Sequence, residues 1–165
     1  TTSHLTNILT PYTLKPTPIP DGFVLLQDTR EQRPLFSRIP KGLTVMSTTL
    51  HDGDYSVQGF SQGGIAFERK ASDLFAYCTT EQPKTKIKMQ RLKSFEFAAL
   101  IIEMKESDAY QYQQHTKCHP EAIRGALLSF QVRYGIHVIF TGNRENAARI
   151  ILDLAVRYWN VKREP

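Results

Sequence analysis

Apolar positions along this chain come first in short unbroken runs and later in helical stripes. Residues 23–28 form an apolar run of buried-strand character that ends in Asp28, and residues 44–48 form a second strand. Residues 55–58 and 64–69 flank Gly59, Gly63 and Gly64, the pattern of a hairpin with a long loop. Helices are expected over residues 72–79 and about 84–95. Residues 97–103 (Phe-Ala-Ala-Leu-Ile-Ile-Glu) are almost wholly apolar, as a strand covered on both faces must be. Pro120 suits the first turn of a helix whose stripe is Ile123, Ala126, Leu127 and Phe130. Residues 137–140 read as a further strand. Asn143 can cap a last helix with Ala147, Ile150, Ile151, Leu154 and Tyr158 along one face. Strands first, then strands alternating with helices, predict an α/β protein with a central mixed β-sheet flanked by α-helices. The apolar faces of the last two helices can pack on that sheet or, in part, on a second subunit.

Residues 1–22 carry Pro11, Pro16, Pro18 and Pro20 with threonines between, which predicts an extended leader. Residues 23–165 then form one domain, a size that sustains a core. No apolar run approaches the roughly 20 residues of a membrane span, and no secretion signal is expected at Thr1-Thr2-Ser3-His4. Cys78 and Cys118 form no Cys-x-x-Cys pair, so the pattern argues against a zinc ribbon or disulfide framework and for a reducing, intracellular setting (cytoplasm or nucleoid). A net charge of +5 suits a polyanionic partner without requiring one.

The candidate chemistry lies in scattered charges at strand ends. Asp28 closes the first run and is followed by Thr29-Arg30-Glu31; Asp54 stands in Gly53-Asp54-Tyr55; Glu68 and Lys70 stand in Glu68-Arg69-Lys70. Alternation along a strand puts Glu68 and Lys70 on one face with Ala66, and Arg69 on the other with Ile65 and Phe67. Hairpin pairing would bring Asp54 near Glu68, and Asp28 could approach from the neighbouring strand. Carboxylates so placed can hold a hard cation, which polarises a phosphoryl oxygen and lowers the pKa of an attacking water. Lys70 would position the nucleophile and offset developing charge. Arg30 could contact the scissile phosphate or pair with a local carboxylate.

In that order, Asp-x-Arg-Glu, Gly-Asp and Glu-Arg-Lys resemble the nuclease domain of the XPF family of structure-specific DNA endonucleases. The likeness runs from about Phe23 to Tyr158, through Ala98–Glu103 and Arg133–Phe140, and is nearest to compact bacterial and phage members. It implies a restriction-endonuclease-like fold and Mg²⁺- or Mn²⁺-dependent cleavage of branched or flapped duplex DNA in repair or recombination. It implies that Asp28, Asp54 and Glu68 serve the metal and Lys70 the water, with Arg30 and Glu31 in support. It also implies a homodimer through the late helices, or a heterodimer. A catalytically silent DNA-binding or scaffold subunit of the same fold is the alternative, and an RNA-cutting relative a third. The family's last Asp stands three residues beyond its Glu-Arg-Lys, whereas Asp73 follows Ala71-Ser72 alone; on a helix one residue turns a side chain by roughly 100°. Gln82-Pro83-Lys84 replaces a Gly-Arg pair, so Lys84 can stand in for the arginine.

Lys84, Lys88 and Arg91, with Lys86 and Lys93 close by, follow helical spacing and can track a DNA backbone or form a solvated face. His115, Cys118 and His119 make half a metal site without a matching second pair. His51 lies near Asp54. Tyr110 and Tyr112 can stack on unpaired bases or pack a loop, and Tyr55 is expected to pack beside the acidic site.

Overall fold

Alternation along two central strands, β4 (Ile65–Lys70) and β5 (Phe97–Ile102), divides the core into two layers. The protein is described here by a computed structural model covering residues 14–112, 114 and 117–165. Ile65, Phe67, Ala99 and Ile101 face one layer; Ala66, Ala98, Leu100 and Ile102 face the other. Around them stand β1 (Val24–Asp28), β2 (Thr44–Thr48), β3 (Tyr55–Val57) and β6 (His137–Phe140). The six strands form one sheet in the order β2-β1-β3-β4-β5-β6. β3 runs antiparallel to both β1 and β4, and the remaining neighbours are parallel, so the sheet is mixed as expected.

Five helices of the described residues cover the sheet: α1 (Leu74–Cys78), α2 (Gln82–Leu92), α3 (Glu106–Ala109), α4 (Pro120–Tyr134) and α5 (Arg144–Lys162). The first layer is closed by α5 through Ala147, Ile151, Leu152, Ala155, Val156 and Trp159. At about 2 kcal/mol for each large apolar side chain taken from water, Ile151 and Leu152 already anchor it. The Asn143 side chain caps α5 by accepting the Asn146 amide at 2.8 Å. The second layer is closed by α1, α2 and α4, the last through the anticipated Ile123, Ala126, Leu127 and Phe130. Gly135, at φ +66°, ends α4 by taking a left-handed conformation open to glycine.

Several expectations shift. Helix α2 starts two residues earlier than expected, with Pro83 in its first turn, and ends at Leu92 rather than residue 95. The buried face of α5 is centred on Ile151, Ala155 and Trp159, while Ile150, Leu154 and Tyr158 pack at its rim. The short α3 has no periodicity long enough to announce it. Of the proline-rich leader, residues 14–20 carry no regular structure, and the Thr17 hydroxyl donates to Asp153 on α5. Among the described residues no helix is long and apolar enough to cross a membrane.

Candidate active site

Opposed strand directions bring three acids to one end of the sheet. β1 ends at Asp28, β3 begins just after Asp54, and β4 reaches Glu68 near its end. Tyr55 is paired with Gln27 on one side and with Phe67 on the other. The Asp28 amide donates to Asp54 O at 2.9 Å, and the Asp54 amide donates to Phe67 O at 2.7 Å. Asp54 is thus stitched between the other two by backbone alone. Gly53 makes the turn possible: its φ is +77°, and a Cβ there would lie 3.1 Å from Phe67 O.

Asp28, Asp54 and Glu68 line a cleft of about 360 Å³ together with Arg30, Lys88 and Arg91. Asp54 Oδ2 accepts the Arg69 amide at 2.8 Å. Burial first, and the Glu68 carboxylate second, push Asp54 up to about 8. Such a pair binds one positive charge, a proton or a cation, with gain. Glu68 is buried and takes the Tyr77 hydroxyl at 3.2 Å and the Lys88 ammonium at 3.7 Å. Asp28 is committed elsewhere: Oδ2 accepts Arg30 Nε at 2.8 Å and Oδ1 the Leu50 amide at 3.0 Å. Arg30 also donates to Leu50 O at 2.7 Å.

Residues 27–154 match the ERCC4 domain. The chain belongs to the ERCC4 domain family. A putative ATP-dependent RNA helicase of Methanocaldococcus jannaschii is 28% identical over 107 residues, which are 65% of this chain and 12% of that protein. XPF from Aeropyrum pernix superposes with a TM-score of 0.63 at 24% identity, over 86% of this chain and 62% of that one. The same protein solved in complex with DNA gives 0.56 at 19%, over 86% of this chain and 67% of that one. The two solved structures share this chain's α/β fold, a mixed sheet flanked by helices. The chain spans a small part of the helicase and under two thirds of the first XPF chain.

The remaining predicted residues of this ERCC4 domain divide between the two sheet faces. Glu31 lies on the face away from the cleft, where Arg69 bridges it (2.9 Å) to Glu103 (2.6 Å). Tyr55 lies there too, donating to Glu31 at 2.9 Å and accepting the Leu35 amide at 2.8 Å. This network ties the segment after β1 to β4 and β5. Lys70 is on the Glu68 face but turns to Asp73 (3.3 Å) and to the Tyr77 ring (4.5 Å). Burial pulls the Lys70 pKa down, but Glu68, Asp73 and Asp54 outweigh it and the net shift is upward, so Lys70 stays an ammonium. Asp73, at the start of α1, also accepts the Ala71 amide at 2.8 Å.

Lys88 and Arg91 of the basic stripe face the cleft, whereas Lys84 is exposed outside it. Arg91 is no plain solvated charge: it pairs with Asp52 at 2.8 Å and bonds His51. Asp52 was missed from sequence; it lines the cleft, and burial first and Glu68 second raise its pKa. Its signal was two acids two positions apart in His51-Asp52-Gly53-Asp54. Tyr110 packs edge-on against Phe140, and Tyr112 lies 5.2 Å from the His119 ring. Cys118 is buried and unpaired in a disulfide, and His115 lies outside the described residues. Among the described residues no group of three His, Cys, Asp or Glu side chains converges to hold a metal unaided. Asp54 and Glu68 nevertheless fit Mg²⁺ or Mn²⁺, since Mg²⁺ takes one or two carboxylates and completes its shell with water and phosphate.

The acid pair carries a pH signature. The folded protein keeps a proton on Asp54 that the unfolded chain, near 3.8, has released. Folding therefore takes up a proton between about pH 4 and about 8, and this contribution to stability falls as pH rises through that window. The contribution is on the order of a few kcal/mol across that window. Metal-free protein should lose on the order of 5 °C in Tm from this source between pH 5 and pH 8. Asp54→Asn should flatten that slope. Parallel melting profiles for the two proteins would rule out the coupled pair.

Proposed function

We propose that this ERCC4 domain is a divalent-metal-dependent endodeoxyribonuclease that hydrolyses phosphodiester bonds in branched or flapped DNA during repair or recombination. The observation that carries this reading is that Asp54 and Glu68, at or near the ends of paired strands, line one cleft rimmed by Arg30, Lys88 and Arg91. Those cations suit a phosphate backbone, and the acids suit Mg²⁺ or Mn²⁺. When bound, the metal supplies Lewis acidity toward a phosphoryl oxygen and an attacking water. Asp54 and Glu68 would hold it, and Asp28 would join them if Arg30 moves from Asp28 to a phosphate. Lys70 would orient the entering water and offset charge as the P–O bond breaks. Arg30 and Arg91 orient the strand, and Lys84 extends the basic track along α2. Glu31 acts at a distance by fixing Arg69. Exposed Leu128 and Val132 on α4 support pairing with a second copy or a related chain through the late helices. An intracellular, nucleoid setting follows from a DNA substrate.

The engagement of both Asp28 oxygens favours a second reading, a catalytically silent DNA-binding subunit. One panel separates them. Forked, flapped and plain duplex DNA, and an RNA counterpart, are offered with Mg²⁺, with Mn²⁺ and with chelator. Metal-requiring cuts in DNA support the nuclease, and binding without cutting in every metal supports the silent subunit. Lys70→Ala should lower the cleavage rate by about a hundredfold, the usual loss for one oriented donor. Full activity in that variant would remove Lys70 from the reaction.

A further inference from the structure

Two lysines stand over the ring of a single tyrosine whose hydroxyl bonds Glu68. Tyr77 is buried at the end of α1, with its hydroxyl on Glu68 Oε2 and its ring edge-on to Phe130. Its carbonyl accepts the Thr85 hydroxyl of α2 at 2.6 Å, so the two helices fix the ring jointly. Lys70 Nζ lies 4.5 Å from the ring centroid and Lys88 Nζ 5.8 Å from it. Their surroundings differ. Lys70 is 14% exposed, held by Asp73, and set back from the cleft wall. Lys88 is 52% exposed, lines the cleft, and meets Glu68 at 3.7 Å.

An ion pair that open to water is weak and exchanges partners readily. The lysine stem has four rotatable carbons, so Nζ can leave Glu68 for an anion entering the cleft without moving α2. Of the other cations on that face of the helix, Arg91 is held by Asp52 and His51, and Lys84 stands outside the cleft.

We propose that Lys88 is a catalytic residue whose ammonium contacts a non-bridging oxygen of the scissile phosphate, while Lys70 serves the water side and Tyr77 positions both around Glu68. This rests on the nuclease reading above and divides between two lysines what the sequence assigns to one. Lys88 is thereby a reaction-centre group, distinct from a cation that tracks DNA some way off.

The test compares wild type, Lys88→Ala and Lys88→Arg. Three quantities are read: cleavage rate at saturating DNA with Mg²⁺, DNA Kd in chelator across a salt series, and Mn²⁺ affinity by calorimetry without DNA. Lys88→Ala should lose about a hundredfold in rate with DNA Kd changed less than about fivefold, and Lys88→Arg should recover part of the rate. Removing a cation from beside Glu68 should also tighten Mn²⁺ binding several-fold, a change a remote DNA contact would not produce. A Lys88→Ala rate within twofold of wild type, with weaker DNA binding and a salt slope lower by about one, overturns the proposal and leaves the nuclease intact. Unchanged Mn²⁺ affinity overturns it equally. Wild type that cuts no DNA removes the nuclease reading and this proposal together, an outcome visible before any variant is made.

Discussion

Glu68→Gln should cleave at least about a thousandfold more slowly than its parent while remaining folded, a loss of roughly 4 kcal/mol in transition-state stabilisation. The substitution keeps the shape of the side chain and leaves an oxygen to accept the Tyr77 hydroxyl, so the packing around α1 is preserved. What disappears is the charge. Asp54 then has no second open carboxylate beside it, because Asp28 is taken by Arg30 and the Leu50 amide and Asp52 by Arg91 and His51. One carboxylate holds Mg²⁺ poorly, and Lys70 loses the largest of the charges that favour its ammonium. Removing the Glu68 charge, which disfavours ionised Asp54, should also raise the Tm of the metal-free protein, so lost activity would be accompanied by gained stability. Mn²⁺ calorimetry should show binding weakened at least tenfold. A Gln variant that cuts at the parental rate would end the assignment of this cleft as the reaction centre.

The second large effect is structural. Arg69→Ala should cost about 3–4 kcal/mol, toward the low end of the penalty for breaking an enclosed ion network, since its members are not fully buried and two acids are left unpaired. For a chain of this size that corresponds to roughly 10–15 °C in Tm. Arg69 and its partners Glu31 and Glu103 are each less than one-seventh exposed. Its guanidinium also donates to Arg33 O at 2.5 Å, so it joins β4, β5 and the segment after β1 at one point. That segment begins at Asp28, so a loosened network should displace the acid end of β1 as well. Glu103→Gln added to Arg69→Ala should recover part of the loss, because it removes one orphaned charge. Thermal denaturation at neutral pH reads both. If the single variant melts within about 2 °C of wild type, the network does not hold the sheet edge.

The two effects illustrate how unevenly the site was legible. Asp28, Asp54 and Glu68 were readable because acids that interrupt apolar runs mark strand ends, and a period of two gives each a face. The placement of Asp54 opposite Glu68 followed from the hairpin and is met by the observed register of Tyr55 with Phe67. Glu31 and Lys70 were less readable. Both belong to the same motifs, yet Glu31 lies behind the sheet and Lys70 leans on Asp73 and Tyr77. Arg69 was placed on the face of Ile65 and Phe67 by alternation, but nothing in the spacing announced its bridge between Glu31 and Glu103.

Side-chain alternation and helical periodicity are local, repeated along the backbone and independent of distant partners. By themselves they predicted the six strands, the main helices and the mixed sheet, and placed three acids at or near strand ends. Where long, flexible side chains end was decided by packing alone. The seating of α2 through Thr85, Met89 and Leu92 brings Lys88 to Glu68 and Arg91 to Asp52. The turn at Leu50 occupies Asp28, and the helix start at Asp73 captures Lys70. Contacts between residues twenty or more positions apart depend on how whole elements dock, and the spacing of residues along one element carries no record of that.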